Sequence, residues 1–165
     1  MRHELLTGMG AEVQRTERLL ADLTRLYDQS LGPLEMDLKP TPLRSWLVEV
    51  LGPWREAAQN KGLRWQLDLP DDLPTLPLDP DRMAQALGNV VSNAIKYTPE
   101  GGEVGVSAGA DGQRIWIRVR DSGPGIPPEE QERIFTPHYR SPARRRFPQG
   151  MGLGLSIARD LVNAH

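Results

Sequence analysis

Asn89-Val-Val-Ser-Asn93-Ala-Ile-Lys96-Tyr97, Asp121-Ser-Gly-Pro-Gly125 and Gly150-Met-Gly152-Leu-Gly154-Leu155 follow one another along a chain of 165 residues. Singly, each is a common pattern: an amide pair on a helix, an acid before a glycine turn, a glycine run ahead of a helix. In this order they suggest a nucleotide-phosphate site, because each supplies a different part of one. Asparagine carbonyls suit a hard divalent cation that keeps most of its waters. A carboxylate beside a glycine turn can accept from an exocyclic amine while the bare backbone approaches a flat base. Free N–H groups and the dipole at a helix start favour anions.

Working outward, the helix that carries the amide pair has the clearest start signal. In Leu78-Asp79-Pro80-Asp81, Asp79 is the expected N-cap and Pro80 the first helical residue, with Leu78 and Met83 spaced as a hydrophobic staple. Met83, Leu87, Val90, Val91, Ala94 and Ile95 form its apolar face, and Asn89, Asn93 and Lys96 fall together on another side at i, i+4 and i+7. Asn93 is the candidate magnesium ligand, Asn89 supports the metal or a bound water, and Lys96 offsets phosphate charge. Two strands follow, about Glu103 to Ala108 and Arg114 to Asp121, with Ile115, Ile117 and Val119 expected to face the core. Beyond Asp121 the pattern predicts a short helix around Glu129 to Phe135. A long loop to Gly150 then carries Arg140, Arg144, Arg145 and Arg146 without an acidic residue, as a lid or binding loop would. The last element is a largely apolar helix from about Leu153.

Upstream, Leu43 to Asn60 reads as a helix with a kink or break at Gly52-Pro53, and Leu63 to Leu69 as a strand with Leu63, Trp65, Leu67 and Leu69 on one side. Pro70 to Pro77 allows a strand of two or three residues at most. Residues 33–42, with Pro33, Pro40 and Pro42, read as a linker. Before it, residues 1–32 hold a coiled-coil-like helix in which Leu6, Met9, Val13, Thr16, Leu20, Leu23 and Tyr27 recur at steps of three and four. One helix cannot bury such a seam, so the pattern predicts pairing with a second copy or with another helix.

The bulk properties fit a folded globular chain. The apolar fraction of 38% permits a core, and a net charge of −2 offers no broad basic surface for nucleic acid. Without cysteine there is neither a disulfide framework nor a thiol nucleophile, which agrees with a cytoplasmic setting. No apolar run approaches the roughly 20 residues of a membrane span, so any membrane anchor is expected outside this sequence.

The ordered set Asn89-x-x-x-Asn93-Ala-Ile-Lys-Tyr-Thr, Asp121-Ser-Gly-Pro-Gly-Ile-Pro, Arg133-Ile-Phe135 and Gly150-x-Gly-Leu-Gly-Leu-Ser-Ile-Ala closely resembles the N, G1, F and G2 boxes of the sensor histidine kinases of two-component systems. The resemblance covers residues 43–165. It implies an α+β fold, the two-layer α/β sandwich of Bergerat type shared with gyrase, Hsp90 and MutL, here preceded by the long N-terminal helix. It also implies ATP with Mg2+ as cofactors, and transfer of the γ-phosphate to a histidine on a dimerisation helix, with a response regulator as downstream partner and a homodimer as the assembly.

By position, Asn89 and Asn93 resemble the magnesium pair, Lys96 the phosphate-side lysine, Tyr97 a nucleotide-contacting aromatic, and Asp121 the adenine-reading acid. Gly123, Gly125, Gly150, Gly152, Gly154 and Leu155 belong to the nucleotide-binding turns, and Arg140 is similar to a lid arginine that approaches the terminal phosphate. Hydrolysing relatives carry a glutamate base where this chain has Asn89, and an amide takes no proton from water, so the resemblance favours transfer over hydrolysis.

Residues 1–32 resemble the second helix of the dimerisation hairpin. His3-Glu-Leu-Leu-Thr-Gly8 is locally similar to the acceptor box, with Glu4 as its helper base, but many more residues separate the acceptor from the end of the second helix in the family. His3 therefore reads as an incidental terminal residue, with the phosphoacceptor role as the alternative. His138 and His165 read as plain lid and helix residues. Two local departures stand out: Thr136-Pro137-His138 replaces the usual continuation of the F box, and Met151 stands where threonine is common. The family also continues beyond a position like His165 with a β-hairpin that completes the sheet. Two other readings remain: a noncatalytic nucleotide-binding regulatory module, and a serine kinase of the anti-sigma-factor type.

Overall fold

The computed structural model describes residues 35–112, 114–141 and 152–165. The N-terminal seam, His3 and Gly150 lie outside the described residues. Among the described residues, five strands and three α-helices follow in the order β1 (Lys39–Pro42), α1 (Leu43–Asn60), β2 (Arg64–Asp68), β3 (Thr75–Leu78), α2 (Pro80–Tyr97), β4 (Glu103–Asp111), β5 (Arg114–Asp121) and α3 (Gly154–Ala164). Residues Met36–His165 make one compact unit.

The three-stranded sheet has the order β2-β4-β5. β2 runs parallel to β4, with Trp65 opposite Val104 and Leu67 opposite Val106, and β4 runs antiparallel to β5, with Val106 opposite Val119 and Ala108 opposite Ile117. A parallel pair needs a crossover, and β3 with α2 supplies it. Alternation along the strands sends Val104, Val106 and Ala108 inward, with Ile115, Ile117 and Val119 packed against them. On the other side they meet Leu43, Trp46, Leu47 and Leu51 of α1 and Leu87 and Val91 of α2. The sheet is thus covered on one face by α1 and α2, and α3 packs along α2, giving the expected two-layer α+β sandwich.

Several local expectations need correction. Residues 39–42, expected as linker, form β1, which pairs antiparallel with a four-residue β3, one residue longer than anticipated; Pro40 faces Pro77 and Thr41 faces Leu76. Proline is tolerated there because a two-stranded ribbon has outer edges with no ladder bond to lose. Helix α1 runs through Gly52 and Pro53 without a break. Pro53 and Glu49, whose carbonyl loses its donor, both lie on the exposed side, where water can take the place of the missing bond. Buried Leu47 and Leu51 hold the helix on its other face. Leu67 keeps the inward register but lies on an edge strand and is 40% exposed. In place of a short α-helix near Glu129, two 3-10 turns occur, Pro128–Glu130 and Arg133–Phe135.

The start of α2 ties distant segments together. Asp79 caps the helix by accepting from the Arg82 N–H through Oδ1 (3.0 Å), and its Oδ2 accepts from the Asp37 N–H (3.0 Å). Burial by itself pushes this carboxyl up. The backbone N–H groups of Arg82, Asp37 and Asp81, with the Arg82 charge, outweigh it and hold the group below the ordinary carboxylate value. The Asp79 N–H in turn donates to Nε2 of His165 (3.1 Å), whose Nδ1 lies 2.7 Å from the Leu161 carbonyl. The tautomer protonated at Nδ1 satisfies both contacts, so His165 links the end of α3 to the start of α2.

Candidate functional site

Helix α2 presents a different partner at each end of its polar side. Near its middle, Asn89 meets the N-terminus of α3: a Cβ built on Gly154 would sit 3.7 Å from both Cβ and Cγ of Asn89 and 3.8 Å from its Oδ1. Glycine keeps this gap open. Asn89 Nδ2 is buried with no hydrogen-bond partner, a costly state for an amide unless a ligand or water completes it. The first turn of α3 has neither a side-chain cap nor an acidic residue, so no side chain satisfies its leading N–H groups beside Asn89. Ser156, buried in that turn, donates to the Leu153 carbonyl (2.8 Å). Leu155 is half-buried beside it, and Asn93 is half-buried one turn beyond Asn89.

At its C-terminal end, α2 meets the acid turn. The Gly123 N–H donates to Asp121 Oδ1 (2.8 Å), and a Cβ on Gly123 would lie 2.7 Å from that oxygen and 3.0 Å from the Tyr97 carbonyl. The turn is thus pressed onto the last residue of α2, which only glycine permits. Ser122 fixes the turn to β4, its hydroxyl accepting from the Glu103 N–H (2.8 Å) and its N–H donating to the Glu103 carbonyl (3.0 Å). Gly125 adopts φ +70°, in the left-handed region. Lys96 lies over the Tyr97 ring, with Nζ 5.1 Å from the centroid.

A third contact joins the segment after the F box to the glycine run. Gly152 has φ +72°, its carbonyl accepts from the His138 N–H (3.0 Å), and a Cβ there would fall 2.7 Å from the Tyr139 carbonyl. His138 adopts φ 63°, unusual for a residue with a side chain. Tyr139 is stacked by Arg133 at 4.7 Å, and Phe135 lies under Arg159 of α3 at 5.7 Å, so this segment is held to its surroundings on two sides. Tyr139 Oη and Ser141 Oγ, like Asn89 Nδ2, are buried without partners. Arg140 follows directly and is exposed.

The structure therefore brings Asn89 to Gly154, Tyr97 to Asp121 and Gly123, and Gly152 to the residues just before Arg140. The His138 bond to Gly152 is made by its backbone N–H, whereas the ring of His165 makes it more than a plain helix residue. Another contributor carried no local signal: Lys61, just past α1, donates through Nζ to the carbonyls of Ile95 (2.6 Å), Lys96 (2.9 Å) and Thr98 (2.8 Å). Its partners lie more than thirty positions away in the chain, where no periodicity reveals them.

Among the described residues no helix is long and apolar enough to cross a membrane. No group of three or more His, Asp or Glu side chains there could hold a metal ion by itself.

Comparison with known proteins agrees with this geometry. The adaptive-response sensory kinase SasA of Trichormus variabilis is 35% identical over 162 residues, which is 98% of this chain but 40% of that protein. The chain thus spans well under half the length of that relative. Full-length ShkA, solved in complex with AMPPNP, superposes with a TM-score of 0.70 at 34% identity, over 81% of this chain and 27% of that one. The mycobacterial sensor histidine kinase MprB superposes at 0.66 with 28% identity, over 78% of this chain and 80% of that one. The family described as histidine kinase-, DNA gyrase B-, and HSP90-like ATPase matches residues 78–165. That span takes in the whole of α2, the Asp121 turn and α3, and on this match the chain belongs to the histidine kinase-, DNA gyrase B- and HSP90-like ATPase family.

Proposed function

We propose that the chain is the ATP-binding catalytic part of a sensor histidine kinase, which passes the γ-phosphate of ATP to a histidine on a dimerisation helix. The single observation that carries this reading is the buried, unpartnered Asn89 amide facing the uncapped start of α3. Adenine would lie at the other end of α2, where Asp121, held by the Gly123 N–H in a turn that lies close to the Tyr97 carbonyl, would accept from the exocyclic amine. The phosphates would run along the Asn93–Asn89 side toward the α3 N–H groups, with Lys96 and Arg140 offsetting their charge.

The donor set fits Mg2+, a hard cation that needs only one or two protein oxygens when phosphates supply the rest. Asn93 would hold it through its carboxamide oxygen and Asn89 would assist. Bound there, it would neutralise charge between the β- and γ-phosphates. Asn89 has no basic atom to take a proton from water, so this chain's own residues favour transfer to an incoming imidazole over hydrolysis. In that step the imidazole nitrogen bonds to the γ-phosphorus, the bond to the β,γ-bridging oxygen breaks, and ADP leaves. The seam in residues 6–27 suits a second copy of the chain, and a response regulator is the class of protein that would next take the phosphoryl group.

Incubation with γ-labelled ATP, Mg2+ and an isolated dimerisation hairpin tests the reading. Label that is acid-labile and base-stable on the hairpin histidine is expected. Nucleotide binding without transfer would instead make the chain a regulatory module, and label on serine would make it a serine kinase. Asn93→Ala should weaken binding of a nonhydrolysable ATP analogue in Mg2+ by at least about tenfold, the lower end of what a lost ligand contact costs; unchanged affinity would refute the metal assignment.

A further inference from the structure

We infer that Lys61 is a positioning residue for nucleotide-base recognition, acting through the C-terminal end of α2. The inference rests on the reading of Asp121 as the base-reading acid.

A helix ends with carbonyls that have no partner within it and with the negative pole of its dipole. Here that pole falls where the acid turn meets Tyr97, and Thr98, next after α2, caps the Ala94 carbonyl. Lys61 caps later carbonyls from another element. An ammonium group has three N–H bonds, and Lys61 spends all three on the carbonyls of Ile95, Lys96 and Thr98. Two of these carbonyls flank Tyr97 on either side, so the peptide that carries the Tyr97 carbonyl is held from both neighbours.

Gly123 lies close to that carbonyl, and a Cβ there would sit 3.0 Å from the oxygen and crowd it. Gly123 in turn donates to Asp121 Oδ1. A continuous chain of contacts therefore runs from Lys61 through the Tyr97 backbone and Gly123 to the Asp121 carboxylate. Lys61 is itself anchored. Its own N–H donates to the carbonyls of Ala57 and Ala58, and the adjacent Gly62 carbonyl accepts from the Gly101 N–H (3.0 Å), stitching the turn after α1 to the turn after α2. Thr98 completes the frame: fully buried, it donates from Oγ1 to the Ala94 carbonyl (2.6 Å). Removing the ammonium frees the end of α2 to relax, and the Asp121 carboxylate shifts with it.

The test measures affinity for nonhydrolysable ATP and GTP analogues, with the melting temperature, for the full chain and for Lys61→Met, which keeps the stem and loses the donors. The expected result is an ATP-analogue affinity lower by about tenfold and a narrowed preference for ATP over GTP, at a temperature where the variant is folded. A lower melting temperature with unchanged affinity and unchanged base preference would overturn the inference and leave Lys61 a purely structural cap. Asp121→Asn serves as the control: if it alters neither affinity nor preference, the base-reading assignment itself fails. If Asp121→Asn loses the preference and Lys61→Met keeps it, only the positioning role fails. Should Lys61→Met not fold, Lys61→Arg carries the same readouts, because a planar guanidinium cannot reproduce the three-way contact; wild-type values for both would then overturn the inference.

Discussion

Replacing Asp79 tests whether the start of α2 is the clamp that its bonds describe. Asp79→Ala removes two acceptors at once. Loss of an N-cap costs about 1 kcal/mol, and loss of the bond from the Asp37 N–H, which water can partly replace at this exposed residue, costs about 1 kcal/mol more. The expected destabilisation is therefore about 2 kcal/mol, or a fall of about 6–8 °C in melting temperature for a unit of this size. Asp79→Asn keeps the acceptor for the Arg82 N–H but loses the charge and sets an NH2 group against the Asp37 N–H, and should lose about 1–2 kcal/mol at neutral pH.

The pH dependence separates charge from geometry. Because the Asp79 carboxyl is held below its ordinary value in the folded state, it contributes stability that is fully present above the unfolded-state value. That contribution is lost as pH falls through the folded-state value. Urea unfolding from pH 7 down to pH 3 should show the gap between wild type and Asp79→Asn closing at the acid end. A gap that stays constant over this range would refute the role assigned to the carboxylate charge.

Two further substitutions address the contacts around the site. Gly152→Ala must place a methyl group 2.7 Å from the Tyr139 carbonyl with φ at +72°, which costs about 1–2 kcal/mol for the backbone and about 1–3 kcal/mol for the crowding. ATP-analogue affinity by calorimetry should fall about tenfold or more. Gly125→Ala, with similar φ but no atom within 4 Å of the new methyl, should cost only the backbone part, about 1–2 kcal/mol. Equal effects of the two would contradict the close approach at Gly152. His165→Ala leaves the Asp79 N–H without its imidazole acceptor and should lower stability by about 1–3 kcal/mol in thermal unfolding; an unchanged melting temperature would show that the link between α3 and α2 carries no energy.

What the sequence made legible was whatever rests on local spacing. The cap at Asp79, the proline at Pro80 and the apolar repeat from Met83 to Ile95 fix α2 within one stretch of chain, and β4 and β5 announce themselves by alternation. The contacts that assemble the site do not. Pro40, Pro42 and Pro77 mask β1 and β3, because proline argues against a strand unless the strand is already known to lie at an edge. Pro53 argued for a break that the exposed side of α1 tolerates. Lys61 and His165 act on backbone groups 34 and 86 residues away, and a backbone carbonyl or N–H has no residue identity for a pattern to recognise.

The division has a physical consequence for how the site works. The groups that would touch nucleotide are drawn from short motifs, but each is held by a partner outside its motif. Gly154 lies beside Asn89, Gly123 lies close to the Tyr97 carbonyl, and the His138 N–H ties the segment before Arg140 to Gly152. Helix α2 is common to the first two of these contacts, and its ends are fixed from other elements, by Asp37 and His165 at the start and by Lys61 at the finish. A rod clamped at both ends would keep Asp121, the proposed base-reading acid, and the proposed phosphate-side amides Asn89 and Asn93 at a constant separation. The third contact stands apart from α2. Gly152 meets the His138–Tyr139 segment through a backbone bond and two left-handed residues, and Arg159 of α3 lies over Phe135 just before it. The structure thus combines a helix held at both ends with a second close contact, at Gly152, beside the segment that bears Arg140.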